Sequence, residues 1–306
     1  MDERQRHRRG IAYGLGAYGL WGLVPLYWPL LDAAGPLEIL AHRIVWSLVL
    51  VALLLVVLRR RGWWRSVSSR RTLGLLTLAA AFIAVNWGLY IWAVNSGHVV
   101  EAALGYYINP ILSVLLGVFV LREKLARAQW AAVGLAGVAV IVLAVDYGHP
   151  PWVALILAAS FAAYGLLKKR IDSGALETLT VESAVLAPVA VGYLLWLQAT
   201  GGLVFGHQGA GQSLLLASSG LVTLVPLLLF AAAATRLPLS TVGLLQYLTP
   251  TAQFLLGVFY FGEAMSPARW AGFALVWAAL IVLTTVGLSN ARRRRPAEVV
   301  EATEPV

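Results

Sequence analysis

The chain consists of long apolar stretches separated by short polar segments. A helix needs about 20 mostly apolar residues to cross the hydrocarbon layer of a bilayer. Ten stretches meet this requirement: Ile11–Leu31, Leu37–Leu58, Thr72–Val94, His98–Leu121, Ala128–Val145, Pro150–Leu167, Leu176–Gln198, Gln212–Ala234, Pro238–Phe261 and Ala268–Leu288. Each is expected to be helical, because lipid offers the backbone no hydrogen-bond partner. The pattern predicts an all-α membrane protein with ten transmembrane helices.

Composition and charge support this class and argue against others. Hydrophobic residues make up 60% of the 306 positions and charged residues 12%, whereas soluble domains are about half apolar and about a quarter charged. The net charge of +9 lies in short clusters between apolar stretches, so no polar domain presents a surface to nucleic acid. The chain has no cysteine, which excludes disulfides and thiolate metal sites. The lipid bilayer is therefore the first expected partner.

The basic residues are distributed asymmetrically between alternate loops. With a cytoplasmic N-terminus, 21 of the 23 Lys and Arg residues fall on the cytoplasmic side, Arg269 falls outside, and Arg43 lies within a span. Positively charged loops are preferentially retained in the cytoplasm. The sequence therefore predicts a multi-pass protein of the cell membrane with both termini cytoplasmic.

One segment of the first half recurs in the second half without its positive charges. Shifting residues 104–143 by 140 positions gives 17 identities among 40 positions, including Pro110 with Pro250 and Glu123 with Glu263. Because five spans per unit is an odd number, the second unit enters the membrane in the opposite orientation. Inverted repeats are a construction of secondary transporters, whose substrate site lies near the midplane between the repeats. Both glutamates are interpreted as structural, beside the repeated turn.

The predicted organisation has four parts. They are a cytoplasmic segment at 1–10, a first five-helix repeat at 11–146, a second, inverted five-helix repeat at 147–290, and a disordered cytoplasmic tail at 291–306. The polar composition of the last part is the reason for expecting disorder there.

Four segments carry a family resemblance: AYGLWGLVPLYWPLL, LEILAHRIVWS, VNWGLYIWAVNSGHVVEAALGYYINP and LPLSTVGLLQYLTPTAQFLLGVF. They resemble the RarD family, within the EamA group of the drug/metabolite transporter superfamily, and the resemblance runs from residue 10 to residue 288. It implies the EamA/drug-metabolite transporter fold, with two inverted five-helix halves around a central cavity. It also implies export or exchange of small metabolites, with protons as the default coupling ion.

Arg43 is the first candidate for a functional residue. It lies about six residues into the second span, and arginine within a span usually faces the bundle interior or water. It would anchor an anionic group or form a gate ion pair. The alternatives are an arginine bonded to helix-end carbonyls or one reaching outward to the membrane surface. Its neighbour His42 is either an interhelical hydrogen-bonding residue or a titrating one.

Two glutamates within spans are candidates for proton coupling, together with His42. Glu101 enters the fourth span from the same side as Arg43, so the two side chains could pair. Burial raises the pKa of a carboxyl group, which proton-coupled exchange requires. The alternative is a glutamate favoured by the dipole at a helix N-terminus. Glu182 in the seventh span is the third candidate.

Two polar stripes lie beside prolines in equivalent spans. Pro110 crowds the carbonyl of the residue four positions earlier, and Pro250 does the same in the second repeat. The stripes share one helix face each; they consist of Tyr106, Asn109 and Ser113 in the first repeat and Gln246, Thr249 and Gln253 in the second. They would line a cavity, with the prolines as hinges, or would form interhelical hydrogen bonds.

Aromatic residues deep in the spans are further candidates. Trp21, Tyr90 and Tyr164 lie away from the predicted span ends. They would form an aromatic wall for a planar or cationic ligand, or they are packing residues.

The sequence bears on three function classes: transporter, channel and enzyme. An inverted repeat with paired prolines and buried polar residues favours a secondary transporter of a small molecule. A passive channel or facilitator is the alternative, but it needs a constriction ring that the sequence does not show. The chain lacks an HExxH pair and a phosphate-binding loop, so no enzyme, metal site or cofactor is predicted. Gly134 and Gly137 would allow close helix contact within the chain or in a homodimer.

Overall fold

The computed structural model describes residues 3–60, 62–122, 125–171, 173–237 and 239–301, and these ranges contain no β-strand. The helices are α1 (Glu3–Leu23), α2 (Pro36–Val57), α3 (Arg70–Asn95), α4 (Val99–Leu121), α5 (Arg127–Tyr147), α6 (Trp152–Lys168), α7 (Ala175–Thr200), α8 (Gly209–Ala234), α9 (Leu239–Leu245), α10 (Leu248–Leu255) and α11 (Pro267–Glu301). Glu123 and Pro238 lie outside the described residues. The predicted disorder of the C-terminal tail stays a prediction.

Eight helical stretches in the described ranges are long and apolar enough to cross a membrane: Pro36–Val57, Arg70–Asn95, Val99–Val120, Arg127–Tyr147, Ala175–Thr200, Gly209–Ala234, Thr241–Tyr260 and Pro267–Val286. α6 is also apolar but has only 17 residues. The seventh predicted span, which contains two glutamates, is one continuous helix through Pro188. The chain is thus an all-helical, multi-pass membrane protein by length and composition.

The first predicted span, Ile11–Leu31, is not a single helix. α1 ends at Leu23, and two 3-10 turns follow, each with a proline at its start, Pro25 and Pro29. A proline has no backbone N–H to donate to the preceding turn, so successive prolines stop an α-helix. α1 also begins within the charged N-terminal segment, which lowers its mean hydropathy below that of a typical span.

The ninth predicted span is also interrupted, close to Pro250. α9 ends at Leu245 and α10 starts at Leu248, so Gln246 lies in the interruption. The ring of Pro250 crowds the carbonyl of this residue, four positions earlier. By contrast, α4 continues through Pro110. The two prolines therefore have different effects on the backbone.

The helices pack in a regular set of neighbours. α2 packs against α7 and α8, α3 against α6 and α7, α4 against α6 and α10, and α1 against α8 and α10. α5 packs against α11, and these two helices are among the least buried candidate spans. Arg43, Asn86, Glu101 and Glu182 are buried inside this bundle.

The outer surface of the bundle is apolar. Several large apolar side chains are 74–77% exposed: Val56, Phe119, Val145, Val189 and Phe259. Contiguous exposed apolar surface is unfavourable in water and favourable against lipid tails. The distribution of polar residues inside and apolar residues outside is therefore that of a protein surrounded by lipid.

Close helix contacts at Gly105 and Gly220 depend on glycine, but the glycines expected from the sequence do not form such contacts. A Cβ atom at Gly105 of α4 would lie 2.9 Å from the carbonyl oxygen of Ala154 in α6. A Cβ atom at Gly220 of α8 would lie 2.7 Å from the backbone of Trp46 in α2. At Gly134 and Gly137 a Cβ atom would have no described neighbour within 4 Å. The expected close contact within the chain is therefore wrong for these two residues, and the homodimer stays a prediction.

Gly105→Ala should destabilise the protein by about 1–3 kcal/mol, because the added methyl group forces α4 away from α6. The measurement is thermal unfolding of the purified protein in detergent. Gly134→Ala is the matched control and should raise stability slightly, since alanine favours a helix. Equal melting temperatures for Gly105→Ala and the wild type would contradict the packing described here.

Candidate functional site

Arg43 lies in the bundle interior on α2, with only 8% of its surface exposed. Its Nε donates a hydrogen bond of 2.8 Å to Oγ1 of Thr223 in α8. The guanidinium carbon lies 3.9 Å from the ring centroid of Trp87 and 5.4 Å from that of Trp28. Within the described ranges no carboxylate oxygen lies within 4.0 Å of it. Arg43 therefore neither reaches the membrane surface nor binds helix-end carbonyls.

Two tyrosines, Tyr90 and Tyr106, lie near the same guanidinium. Tyr90 is 5% exposed, and its hydroxyl has no hydrogen-bond partner among the described residues. Tyr106 donates to Oδ1 of Asn86 over a long 3.4 Å, and its ring meets that of Tyr90 edge-on at 5.6 Å. Both hydroxyls lie within electrostatic range of Arg43. We call Arg43, Trp28, Trp87, Tyr90, Tyr106 and Thr223 the Arg43 cluster.

A row of aromatic rings connects this cluster to a buried ion pair. The ring of Tyr106 lies 6.1 Å from Phe161, which lies 6.0 Å from Tyr164. The Tyr164 hydroxyl donates to Oε2 of Glu182 at 3.2 Å, and Lys168 Nζ donates to Oε1 of the same carboxylate at 2.7 Å. Tyr164 is thus an electrostatic partner of Glu182 rather than a packing residue alone. Tyr164, Lys168 and Glu182 form the Glu182 cluster.

The first polar stripe is divided between the interior and the surface. Tyr106 joins the Arg43 cluster, and Asn109 is partly buried. The Oδ1 atom of Asn109 is buried without a hydrogen-bond partner in the described part of the chain. Ser113 is exposed. The structure therefore brings one member of this stripe to Arg43 and does not bring Ser113 there.

The second polar stripe holds α10 against α1. Oγ1 of Thr249 donates to the carbonyl oxygen of Tyr18 at 2.8 Å, and Nε2 of Gln253 donates to that of Trp21 at 3.2 Å. Gln246 is exposed. Two of the three residues thus form the interhelical bonds that were the alternative to cavity lining.

Trp21 packs against the same hydrophobic cluster as Trp28 and Tyr90, but its ring contacts are with other residues. Its ring packs 5.6 Å from Tyr18 and 6.0 Å from Phe230 of α8. The three predicted wall residues Trp21, Tyr90 and Tyr164 therefore contact different neighbours. Of these, Tyr90 is the one that faces Arg43.

Glu101 does not form the expected pair with Arg43. It is 3% exposed, and its Oε1 accepts a 3.0 Å hydrogen bond from the backbone N–H of Val153. Val153 lies in the first turn of α6, whose N–H groups have no partner within the helix. Glu101, in the first turn of α4, therefore caps the start of α6.

His42 packs beside a glutamate that the sequence analysis missed. Its ring stacks on Phe205 at 4.8 Å, and Nε2 lies 3.8 Å from Oε1 of Glu38. Both ring nitrogens are buried without a hydrogen bond to a described residue. Glu38 accepts hydrogen bonds from the N–H groups of Val204 and Phe205 at 2.9 and 3.3 Å. The signal for Glu38 was its position in the first turn of a span.

Asn86 is a second residue that the sequence analysis missed. It is fully buried, and its Nδ2 donates to the carbonyl of Leu157 at 2.9 Å and to Oγ of Ser160 at 3.1 Å. These bonds join α3 to α6 directly beside Tyr106. Like Arg43, an amide side chain in the middle of an apolar span indicates a position in the bundle interior, so the sequence contained a signal for Asn86.

A cavity of about 270 Å³ lies at the end of the bundle where α3 ends and α4 begins. Its polar lining includes His98, Glu101, His149, Glu263 and Arg269. None of the residues that line this cavity belongs to the Arg43 cluster. It is therefore not the predicted midplane cavity. The described residues contain no group of three or more His, Asp or Glu side chains able to hold a metal ion.

Glu263 connects this cavity to the start of α4. Its carboxylate accepts hydrogen bonds from the backbone N–H groups of Val99 and Val100, the latter at 2.9 Å. Burial raises the pKa of the Glu263 carboxyl, and the two N–H groups partly offset this effect. These contacts agree with the structural interpretation of Glu263, while its repeat counterpart Glu123 lies outside the described residues.

Glu263→Ala should destabilise the protein by about 1 kcal/mol, because it leaves two N–H groups at the start of α4 without an acceptor. Thermal unfolding in detergent measures the change. Glu263→Gln, which keeps one acceptor oxygen, is the matched variant and should lose less. An unchanged melting temperature for the alanine variant would show that the cap contributes nothing.

Comparison with known proteins identifies relatives along the whole chain. Residues 8–145 match the EamA-like transporter family. "Protein RarD" of Streptomyces exfoliatus is 59% identical over 306 residues, covering 100% of this chain and 96% of the relative. "Uncharacterized transporter YojE" of Bacillus subtilis (strain 168) is 46% identical over 90% of this chain and 94% of the relative.

A more distant relative and a solved structure extend these matches. "Chloramphenicol-sensitive protein RarD" of Pseudomonas aeruginosa is 31% identical over 94% of this chain and 96% of the relative. A crystal structure superposes with a TM-score of 0.59 at 19% identity, covering 90% of this chain and 98% of that chain. At this identity the likeness concerns the fold alone.

Proposed function

Because this chain belongs to the RarD family of EamA-like transporters, we propose that it is a secondary transporter. It exports or exchanges a small metabolite or drug-like molecule by alternating access. The observation that carries this proposal is Arg43, a buried cation at the centre of the bundle without a carboxylate partner among the described residues. Such residues within a membrane mark substrate or ion pathways.

The pattern of helix contacts supports two inverted five-helix repeats. We pair α1–α5 with α6, α7, α8, α9 plus α10, and α11. Exchanging the halves converts α4–α6 into α10–α1, α3–α6 into α8–α1, and α2–α8 into α7–α3, all of which are observed contacts. The pairs α2–α7, α5–α11 and α4–α10 convert into themselves. This exchange supports an approximate two-fold relation between the two halves of the proposed ten spans.

The same exchange relates two buried charges. Arg43 lies seven residues after Pro36, where α2 begins, and Glu182 lies seven residues after Ala175, where α7 begins. In an inverted arrangement these positions have similar depths measured from opposite faces of the membrane. In the proposed transporter, Arg43 thus lies on one side of the membrane midplane, and the ion-paired carboxylate of Glu182 lies on the other side.

In this proposal both termini are cytoplasmic, as the distribution of Lys and Arg favours. The cavity beside Glu263 then lies on the external side. Access from each side requires α10 to move relative to α1, which breaks the bonds of Thr249 and Gln253 to α1 carbonyls. The interruption at Gln246 supplies the flexible point for this movement.

Arg43→Ala should reduce saturable flux by at least about tenfold, because a hydrogen bond to a charged group contributes about 1.5–3 kcal/mol. The measurement is a proteoliposome screen of amino acids, other metabolites and amphenicols, followed by counterflow. Arg236→Ala is the matched control, since Arg236 also lies over an aromatic ring, that of Tyr13 at 5.3 Å, but near α9. Flux that neither saturates nor shows counterflow would instead indicate a passive channel.

Proton coupling is the second part of the proposal, and Glu182 is the carboxylate best placed for it. It is 2% exposed and is held by one lysine and one tyrosine, so its protonation would release Lys168. The other two candidates are less suitable, because Glu101 is bonded to backbone N–H and His42 packs against Phe205.

Glu182→Gln should make flux independent of a pH gradient while leaving exchange at equal pH intact, because the substituted amide cannot titrate. The assay compares uptake into proteoliposomes with and without an imposed gradient. Glu177→Gln is the matched control on the same helix, where the partner Arg60 is exposed. Gradient-dependent flux in Glu182→Gln would remove this residue from the coupling mechanism.

A further inference from the structure

We infer that the Arg43 cluster binds the carboxylate of a small monoanion whose remaining part is planar and apolar. This inference rests on the proposed function and names the substrate class of the same site. It is carried by the unused donors around Arg43, by the aromatic faces that enclose it, and by the charges of the neighbouring residues.

The donors around Arg43 exceed the acceptors that the described residues supply. A guanidinium has five N–H donors, and within the described residues Arg43 uses only Nε, which donates to Thr223. The Tyr90 hydroxyl is buried and has no partner there either. A buried charge is costly unless it is paired and hydrogen-bonded. An anion that accepts from both groups would supply the missing acceptors.

The geometry of the aromatic rings favours a carboxylate as that acceptor. Trp87 lies over the guanidinium at 3.9 Å, which covers one face and leaves the edge of the planar group available. The edge of an arginine matches a carboxylate, with two parallel N–H···O hydrogen bonds.

The charge balance of the interior limits the ligand to one negative charge. The nearest cation along the aromatic row, Lys168, is already paired with Glu182 at 2.7 Å. A second negative charge would therefore lack a free cation in the described part of the cluster. A dianion would remain desolvated and uncompensated, which is unfavourable in the bundle interior.

The surroundings of the carboxylate position favour a flat apolar group. The rings of Trp28 and Trp87 lie against Arg43. The nearby rings of Tyr90 and Tyr106 pack edge-on against each other, and the row continues through Phe161 to Tyr164. Aromatic pairs contribute about 0.5–1.5 kcal/mol beyond the burial of area. A planar ring could therefore remain in contact with aromatic side chains while it moves between the Arg43 cluster and the Glu182 cluster.

The test uses the purified full chain in phosphatidylcholine nanodiscs and isothermal titration calorimetry. The probes are 3-phenylpropanoate, the neutral 3-phenylpropan-1-ol and the cationic 3-phenylpropylamine. The anion should bind at least about tenfold more tightly than the alcohol or the amine. Arg43→Gln should abolish this preference, and Tyr90→Phe should weaken anion binding several-fold without changing alcohol binding. Arg236→Gln is the control and should bind like the wild type.

Other outcomes overturn the inference. Equal binding of the three probes by the wild type, or unchanged anion preference in Arg43→Gln, would exclude a carboxylate site at Arg43. If Arg43→Gln does not fold, the comparison of probes on the wild type and on Tyr90→Phe decides. Stabilisation of the wild type, but not of Arg43→Gln, by phosphatidylglycerol without binding of the anion would identify a lipid headgroup as the ligand.

Flux measurements separate this inference from the proposed function. Saturable transport of neutral or cationic compounds, without any preference for monocarboxylates, would overturn the substrate class and leave the transporter. Tight binding of 3-phenylpropanoate without flux or counterflow of any compound would overturn the transporter and leave the anion site.

Discussion

Polar groups buried in a lipid-embedded bundle must find their partners within the chain, because lipid supplies no hydrogen bonds. Two buried glutamates and one partly buried glutamate meet this constraint in the same way, by accepting N–H groups from a neighbouring segment. The pairs are Glu263 with Val99 and Val100, Glu101 with Val153, and Glu38 with Val204 and Phe205. Each joins a loop or helix start to a different helix. These contacts position the segments that surround the centre of the bundle.

Against this background the Arg43 cluster is distinct. Its guanidinium and the Tyr90 hydroxyl are buried, yet the described residues offer them a single acceptor, the Thr223 hydroxyl. The Glu182 cluster, which the proposed repeat places at the corresponding position of the other half, is paired through Tyr164 and Lys168. A transporter of this construction would have one site that requires an external anion and one that releases a cation when it is protonated. The aromatic row between the two clusters, Tyr106, Phe161 and Tyr164, would offer apolar contacts to a ligand along its path.

The candidate site was predicted in part. Arg43, Glu182 and Tyr106 were found because a charged or polar residue in an apolar span signals an interior position. Asn86 and Glu38 carried the same signal and were missed. The pairing of Glu101 with Arg43 was wrong, because the sequence indicates the depth of a residue and not its direction around the helix axis relative to distant segments. Close contact within the chain at Gly134 was wrong for the same reason, since it depends on which face of α5 meets α11.

The sequence predicts a repeated construction, and by itself it determined the class of protein and most of its spans, since these depend on the length of apolar runs along the chain. It also contained the prolines that end α1 and interrupt the span around Gln246. Only the tertiary structure decided which polar groups satisfy one another. That choice depends on side chains far apart in sequence, such as Arg43 and Thr223, whose approach is set by the packing of α2 against α8.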